Sequence, residues 1–339
     1  MTDHMKSTIK NIFSAALAGA AILSVACSEW TEPEIKVIQS LTEPNIEKDD
    51  TYWENLRAYK KSDHAIAFGW FGFWNGGTTK TSGALRNCPD SMDIISIWGE
   101  KYNLSEKMIE DMRYVQQVKG TRITFTCFFH KINNFLPGCG WEETVENIPR
   151  LARAMADTIA KYNYDGIDLD QESSPGEIFY NADNMTIFLK ELRQLIGPDK
   201  LILVDGNVSR LNEEGASYVD YAISQAYATR SYSRLQSRYD GCDHLFRPEQ
   251  FIVTENFESY WSTGGVTYTD EEGNQMPSIL GMATWNPTQG RKGGVGTYHM
   301  EYECAHDPNY KYIRQAIQIQ NPAGSVPVPS TPQEPEPEN

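Results

Sequence analysis

Along most of the chain, short apolar runs that would suit buried strands alternate with longer stretches in which apolar residues recur every three or four positions. Residues 64–74, 91–98, 122–129, 166–172, 200–207, 221–227, 250–256 and 280–286 form eight such runs and predict eight strands. Residues 105–118, 141–162, 181–196 and 310–320 show the helical spacing. Strand and helix in alternation imply an α/β fold with a parallel sheet and crossover helices. A chain of 339 residues could hold these eight strands in one large (β/α)8 TIM barrel, a fold of about 250 residues, or in two modest domains. The interval between the fifth and sixth runs is too short for a full helix, so either a rudimentary helix or a misplaced strand is expected there.

The ends read differently. Lys6 and Lys10 precede an apolar run over residues 12–26 that stops at Cys27, shorter than the roughly 20 residues a membrane span requires. Ser24-Val25-Ala26-Cys27 resembles the lipobox of a bacterial lipoprotein, without the favoured leucine three residues before the cysteine. Residues 1–26 are therefore expected to be a lipoprotein signal peptide and Cys27 the lipidated residue. Residues 27–62 follow as a polar tether, with Pro33 and Pro44, and a short helix on which Tyr52, Trp53, Leu56 and Tyr59 recur at helical spacing. The barrel is expected over 63–321, and the proline- and glutamate-rich residues 322–339 have too little apolar content to build a core and should be disordered.

The formal net charge is −16, which argues against nucleic acid or an anionic membrane face as a partner and favours a neutral ligand such as a glycan. Apart from Cys27 there are five cysteines, an odd number, so at least one is free or pairs between chains. No CxxC or His/Cys cluster suggests a metal site, and no cofactor is implied.

The candidate chemistry lies in Tyr164-Asp165-Gly166-Ile167-Asp168-Leu169-Asp170-Gln171-Glu172. On a strand, Asp168, Asp170 and Glu172 share one face at a spacing of about 6.5 Å, while Ile167 and Leu169 take the other. Three carboxylates in file are costly to bury, because each opposes its neighbour's ionisation and desolvation penalises them all. Asp165 is out of phase and reads as structural. At the C-terminal end of a barrel strand, where active sites of this fold lie, Glu172 would stand nearest the substrate. A carboxyl with acidic neighbours and apolar walls can keep its proton near neutrality, as a general acid must.

The same run resembles, position for position, the Asp-x-x-Asp-x-Asp-x-Glu signature of glycoside hydrolase family 18, which includes chitinases and endo-β-N-acetylglucosaminidases on a (β/α)8 barrel. The resemblance implies substrate-assisted hydrolysis with retention, in which the sugar's 2-acetamido oxygen attacks its own anomeric carbon. It gives Glu172 as general acid, Asp170 as the group that orients the acetamido N–H, and Asp168 as a tuner of Asp170 from below. Ser224-Gln225-Ala226-Tyr227-Ala228 resembles the family's Met-x-Tyr-Asp stretch, with Gln225 for Met and Ala228 for Asp, a variant more like the endo-β-N-acetylglucosaminidases. Tyr227 would then donate to the acetamido carbonyl. Trp285, read at the end of the eighth strand, would floor the bound sugar; Trp70, with Phe73 and Trp74, and Asn207 after the fifth strand are further candidate substrate contacts. The family's Ser-x-Gly-Gly in strand three is replaced by Thr126-Cys127-Phe128-Phe129.

With the eighth strand at 280–286, only residues 257–278 would separate it from the seventh, too few for an inserted domain that walls a deep groove. An open site favours a branched substrate, so the expected activity is endo-β-N-acetylglucosaminidase action on the GlcNAc-GlcNAc core of N-glycans. A chitinase or chitooligosaccharide hydrolase, and a non-catalytic glycan-binding protein, remain open alternatives. Glu29, Glu32 and Glu34 behind Cys27 resemble surface-export signals of Bacteroides-type lipoproteins, implying a lipid-anchored protein on the outer face of a bacterial envelope.

Overall fold

A computed structural model of the chain describes residues 48–322. The expectations for the leader, for lipidation at Cys27, for the tether up to residue 47 and for residues 323–339 lie outside the described residues.

Eight parallel strands close into a barrel: β1 (Ile66–Phe71), β2 (Ile94–Ile97), β3 (Arg122–Phe128), β4 (Gly166–Gln171), β5 (Leu201–Gly206), β6 (Tyr221–Ser224), β7 (Phe251–Asn256) and β10 (Gly294–Tyr298). Their order around it is β1-β10-β7-β6-β5-β4-β3-β2. A small antiparallel pair, β8 (Thr267–Thr269) and β9 (Gln275–Pro277), lies in the connection from β7 to β10. Seven barrel strands fall within the runs that predicted them, and they are buried almost throughout, as strands covered on both faces must be.

The helices α1 (Asp50–Tyr59), α2 (Glu106–Tyr114), α3 (Ile132–Phe135), α4 (Ile148–Tyr162), α5 (Ala182–Ile196), α6 (Glu213–Ala216), α7 (Tyr232–Asp240), α8 (Phe257–Tyr260), α9 (Ser278–Thr284) and α10 (Lys311–Gln320) complete the described body. In α4 the buried Ile148, Leu151, Ala152, Met155 and Ile159 form one apolar stripe, and Asn163, in the left-handed conformation, ends the helix. The expected rudimentary helix between β5 and β6 is the one-turn α6. Helix α1 packs under the barrel as expected: Lys60 Nζ, just after it, donates to Met92 O (2.6 Å) and Thr121 Oγ1 (2.8 Å), ahead of β2 and β3. At the other end of the chain Asn321 pairs with the backbone of Ala65, clipping α10 to the start of β1.

The eighth strand is not where the pattern put it. Residues 280–285 lie in α9 and its C-cap and Asn286 follows them, with Ile279, Met282 and Ala283 buried at helical spacing. The strand that closes the barrel is Gly294-Val295-Gly296-Thr297-Tyr298, whose glycines hide it from a hydrophobic reading. Gly296 has no side chain because Phe68 fills that space: a Cβ there would lie 2.9 Å from Phe68 Cβ and Cδ1. The β7 to β10 connection is therefore residues 257–293, longer than the expected 257–278 but still well below an independent domain of about 50 residues.

Two layers of core position the site. Helices cover the barrel's outer face through a large apolar cluster, while Phe68, Ile94, Leu201, Leu203, Ile223 and Ile252 fill the lower interior. Toward the C-terminal ends of the strands the interior turns polar, with Ser96, Thr126, Asp168, Asp170, Asp205 and Thr254 all buried. All five cysteines among the described residues are free.

Candidate active site

The alternation along β4 sends Asp168 and Asp170 into the barrel and leaves Glu172, one residue past the strand, exposed at its mouth. Asp165, at the opposite end, accepts from Ile123 N (2.8 Å) and Gln116 Nε2 (2.7 Å), consistent with its structural reading. Behind Glu172, Gln171 is buried and accepts from Ser173 N (2.8 Å) and Ser173 Oγ (2.6 Å), fixing the backbone on either side of the glutamate. Gly206, with φ +79°, lets β5 come close enough for Asn207 N to donate to Gln171 O at 2.8 Å; a Cβ on Gly206 would lie 2.8 Å from that oxygen.

Asp168 is completely buried. Its Oδ2 accepts from the Trp70 indole N–H at 2.7 Å and from Thr126 Oγ1 at 2.9 Å, and Thr126 Oγ1 in turn lies 2.8 Å from Ser96 Oγ. Burial raises its affinity for a proton, against the opposing effect of those donors. Trp70 is 1% exposed, so it holds Asp168 and offers no face to a sugar, contrary to the expectation of a substrate contact. Trp74 is likewise buried, donating to Asp111 Oδ2 at 3.0 Å, whereas Phe73 is exposed beside the rings of His299 and Tyr302.

Asp170 stands across from Asp205 in the β4–β5 register. Gln225 Nε2 donates to both, at 3.2 Å to Asp170 Oδ1 and 2.7 Å to Asp205 Oδ1. Burial first, and then the charge of Glu172, pushes Asp170 up to about 7. Burial and the charges of Asp168 and Asp170 hold Asp205 well above the ordinary carboxylate range. Gln225 is thus placed within the carboxyl cluster. Asp205 escapes a sequence reading; its signal is a lone acid in an apolar strand, in phase with Asn207. Asn207 itself is exposed beside Gln171, with its Oδ1 3.2 Å from Ser209 Oγ.

Tyr227 lies past β6, half-buried, and its hydroxyl is held protonated by burial and by the charges of Asp205 and Asp170. The backbone next to it is pinned from outside the barrel: Ala228, in the left-handed conformation at φ 54°, donates its N–H to Glu255 Oε1 at 2.8 Å. Glu255 is fully buried and also accepts from Asn256 N (2.7 Å) and from the Ser278 hydroxyl.

Trp285 is not at the mouth. It caps α9, is 2% exposed, and lies between the rings of Tyr232 and Phe251 on the outside of the barrel, while its carbonyl accepts from Lys292 Nζ at 2.7 Å. The residue at the true end of the eighth strand is Tyr298. Its ring centroid lies 5.5 Å from Trp98, 6.1 Å from Tyr227 and 6.2 Å from Trp70, and Trp98 meets the exposed Phe128 at 5.3 Å. Tyr298, Trp98 and Phe128 therefore form an aromatic wall beside the acids, a surface suited to the C–H face of a sugar. Placing strand eight in α9 conceals Tyr298, but Trp98 ends the predicted second strand and Phe128 is the last residue but one of the predicted third, so both could have been found by phase.

The family model described as glycoside hydrolase family 18, BT1044-like, matches residues 31–319. Endo-beta-N-acetylglucosaminidase F2 of Elizabethkingia meningoseptica is 26% identical over 349 residues, spanning 91% of this chain and 98% of that protein. The solved structure of BT1044 in selenomethionine form superposes with a TM-score of 0.73 at 31% identity, covering 80% of this chain and 92% of that one. An endo-beta-N-acetylglucosaminidase from Cordyceps militaris shares the fold, with a TM-score of 0.62 at 21% identity over 82% of this chain and 98% of its own. With Asp168 and Asp170 of the signature inside a closed eight-stranded barrel and Glu172 at its mouth, the chain belongs to glycoside hydrolase family 18 and is a glycoside hydrolase of the endo-β-N-acetylglucosaminidase-like kind.

Proposed function

We propose that the protein is a retaining, substrate-assisted endo-β-N-acetylglucosaminidase that hydrolyses the β-1,4 bond in the GlcNAc-GlcNAc core of N-glycans. The observation that carries this reading is the placement of the carboxyls nearest Glu172. Asp170 lies on the same strand as Glu172 and Asp205 beside it on β5, both below the mouth, so neither stands on the far face of the sugar, where an attacking carboxylate or a base for water would have to be. The nucleophile then comes from the substrate. Glu172 protonates the departing oxygen while the acetamido oxygen closes on the anomeric carbon to give an oxazolinium ion. Asp170 accepts the acetamido N–H, and the Tyr227 hydroxyl donates to its carbonyl oxygen. Glu172, now a carboxylate, takes a proton from the incoming water, and the configuration is retained.

The similarity to an endo-β-N-acetylglucosaminidase over nearly its whole length supports the substrate class, as does a β7–β10 connection too short to wall a deep groove for a linear polymer. Mass spectrometry of products from defined high-mannose and complex N-glycopeptides and from chitin oligomers tests it. Released glycans should end in one GlcNAc, the other should stay on asparagine, and a thiazoline mimic of the oxazolinium should inhibit competitively. Higher kcat/KM on chitin oligomers than on every N-glycan, or a trapped covalent glycosyl–enzyme adduct, would overturn it.

We propose further that Cys27 is lipidated and anchors the protein to a bacterial envelope, facing outward. Among the described residues no helix is long and apolar enough to cross a membrane. Wild type should partition into detergent and Cys27→Ala should not; equal partitioning would refute anchoring at this residue.

A further inference from the structure

Among the described residues, Asp168 Oδ1 and Asp205 Oδ2 are both buried and have no hydrogen-bond partner. Asp205 stands alongside Asp170 in the β4–β5 register, two residues along the strand from the position of Asp168, and acts on both acids of β4. Ionised carboxylates only accept, so the pair without a proton would leave two oxygens unsatisfied and two like charges as neighbours. A single proton between them resolves both penalties.

The outer oxygens decide which partner holds it. Asp168 Oδ2 accepts two hydrogen bonds, from Trp70 and Thr126, whereas Asp205 Oδ1 accepts one, from Gln225, which it shares with Asp170. Donors favour the charged form, so Asp168 takes the charge and Asp205 the proton. The titratable groups acting on Asp205 are Asp168 and Asp170 from β4 and Tyr227 beyond β6, none of them a cation that would draw the proton off.

We propose that Asp205 is a positioning residue of the catalytic centre, a neutral acid that donates its proton to Asp168 and, by sharing Gln225 with Asp170, keeps Asp170 in place and free to act as the anion. This rests on Asp170 being the carboxylate that receives the acetamido N–H. In the absence of Asp205, the β4 acids lose a donor and keep their own protons to higher pH, removing Asp170 from its task.

Two variants of the full chain separate this role from mere packing. Asp205→Asn preserves an acceptor for Gln225 and an N–H donor for Asp168; Asp205→Ala removes both. The pH dependence of kcat and KM is measured on a fluorescent asparagine-linked high-mannose glycan, with circular dichroism to confirm folding. Asp205→Asn should stay within about 10-fold of wild-type kcat with its acid limb unmoved, while Asp205→Ala loses about 10- to 100-fold in kcat with KM little changed and its acid limb displaced upward. Independently of activity, wild type at about pH 9, where Asp170 with its value of about 7 is ionised, should show an infrared neutral-carboxyl band that Asp205→Asn lacks. Asn as damaging as Ala in a folded protein, or a band that survives Asp205→Asn, would overturn the proposal. If wild type fails to cleave the glycan, the substrate reading fails instead and the infrared comparison still decides where the proton is.

Discussion

Replacing Asp170 with asparagine should stabilise the folded protein in alkali and do little to its stability in acid, while abolishing most of its turnover. The folded state raises the Asp170 carboxyl from an ordinary value near 3.8 to about 7. Below about pH 4 folded and unfolded chains both hold the proton, so burial exacts no ionisation penalty. Between about 4 and 7 the unfolded chain releases it and the folded one does not, so stability falls as pH rises; above about 7 the loss levels off. A difference of about 3 units at about 1.4 kcal/mol each sets a ceiling near 4 kcal/mol. Asp168 and Asp205 share protons with Asp170, so about half of that, roughly 2 kcal/mol, is the figure expected. At about 2–4 °C per kcal/mol for a domain somewhat smaller than this one, Asp170→Asn should raise Tm by about 4–8 °C at pH 8.5 and by little at pH 4. Asparagine retains a carbonyl to accept from Gln225, so no buried donor is orphaned. Differential scanning calorimetry of both proteins at fixed ionic strength reads the difference directly. A Tm gap that is the same at both pH values, or a variant less stable than wild type at pH 8.5, would refute the placement of a strained carboxyl at 170.

Two further expectations concern catalysis and binding. Glu172→Gln keeps the shape of the side chain but removes its transferable proton, so kcat should fall by about two to four orders of magnitude with KM nearly unchanged, and a folded Glu172→Gln protein of ordinary activity would exclude Glu172 as the acid. Tyr298→Ala removes the central ring of the aromatic wall and should lower kcat/KM by about 10-fold, whereas Trp285→Phe, on the outside of the barrel, should cost about 1–2 kcal/mol of stability and leave kcat/KM alone; the reverse pattern in steady-state kinetics and thermal melts would restore the tryptophan as the sugar platform.

The barrel is legible in the sequence wherever strands are apolar on both faces and helices keep a clean stripe. Ile94–Ile97 is buried at every position and Ile148–Tyr162 buries one stripe, and the pattern finds both with small errors at the ends. The failure at the eighth strand has a local cause. Ser278–Thr284 is apolar and short, and in so short a run one helical turn and one strand look alike, so the apolar character wins over the period. The real strand interleaves two glycines with its apolar residues, because Phe68 and the backbone of β1 crowd that side of the barrel. Trp285 is misplaced along with the helix that it caps.

Asp205 shows a different limit. Periodicity along one strand predicts which residues share a face, and that alone is enough to bring Asp168, Asp170 and Glu172 together. It says nothing about which residue of the next strand stands alongside, since that depends on the register between them. Here the register sets Asp170 against Asp205, and Gln225, from the following strand's end, reaches both. A row of acids on one strand thereby becomes a cluster of acids on two, joined by the Gln225 amide, and its electrostatics change in kind. A file of carboxylates about 6.5 Å apart repels itself, whereas an acid inserted from the side can carry a proton that satisfies its neighbour. The acids of β4 name the chemistry; the proton that lets them coexist is set by the register between β4 and β5.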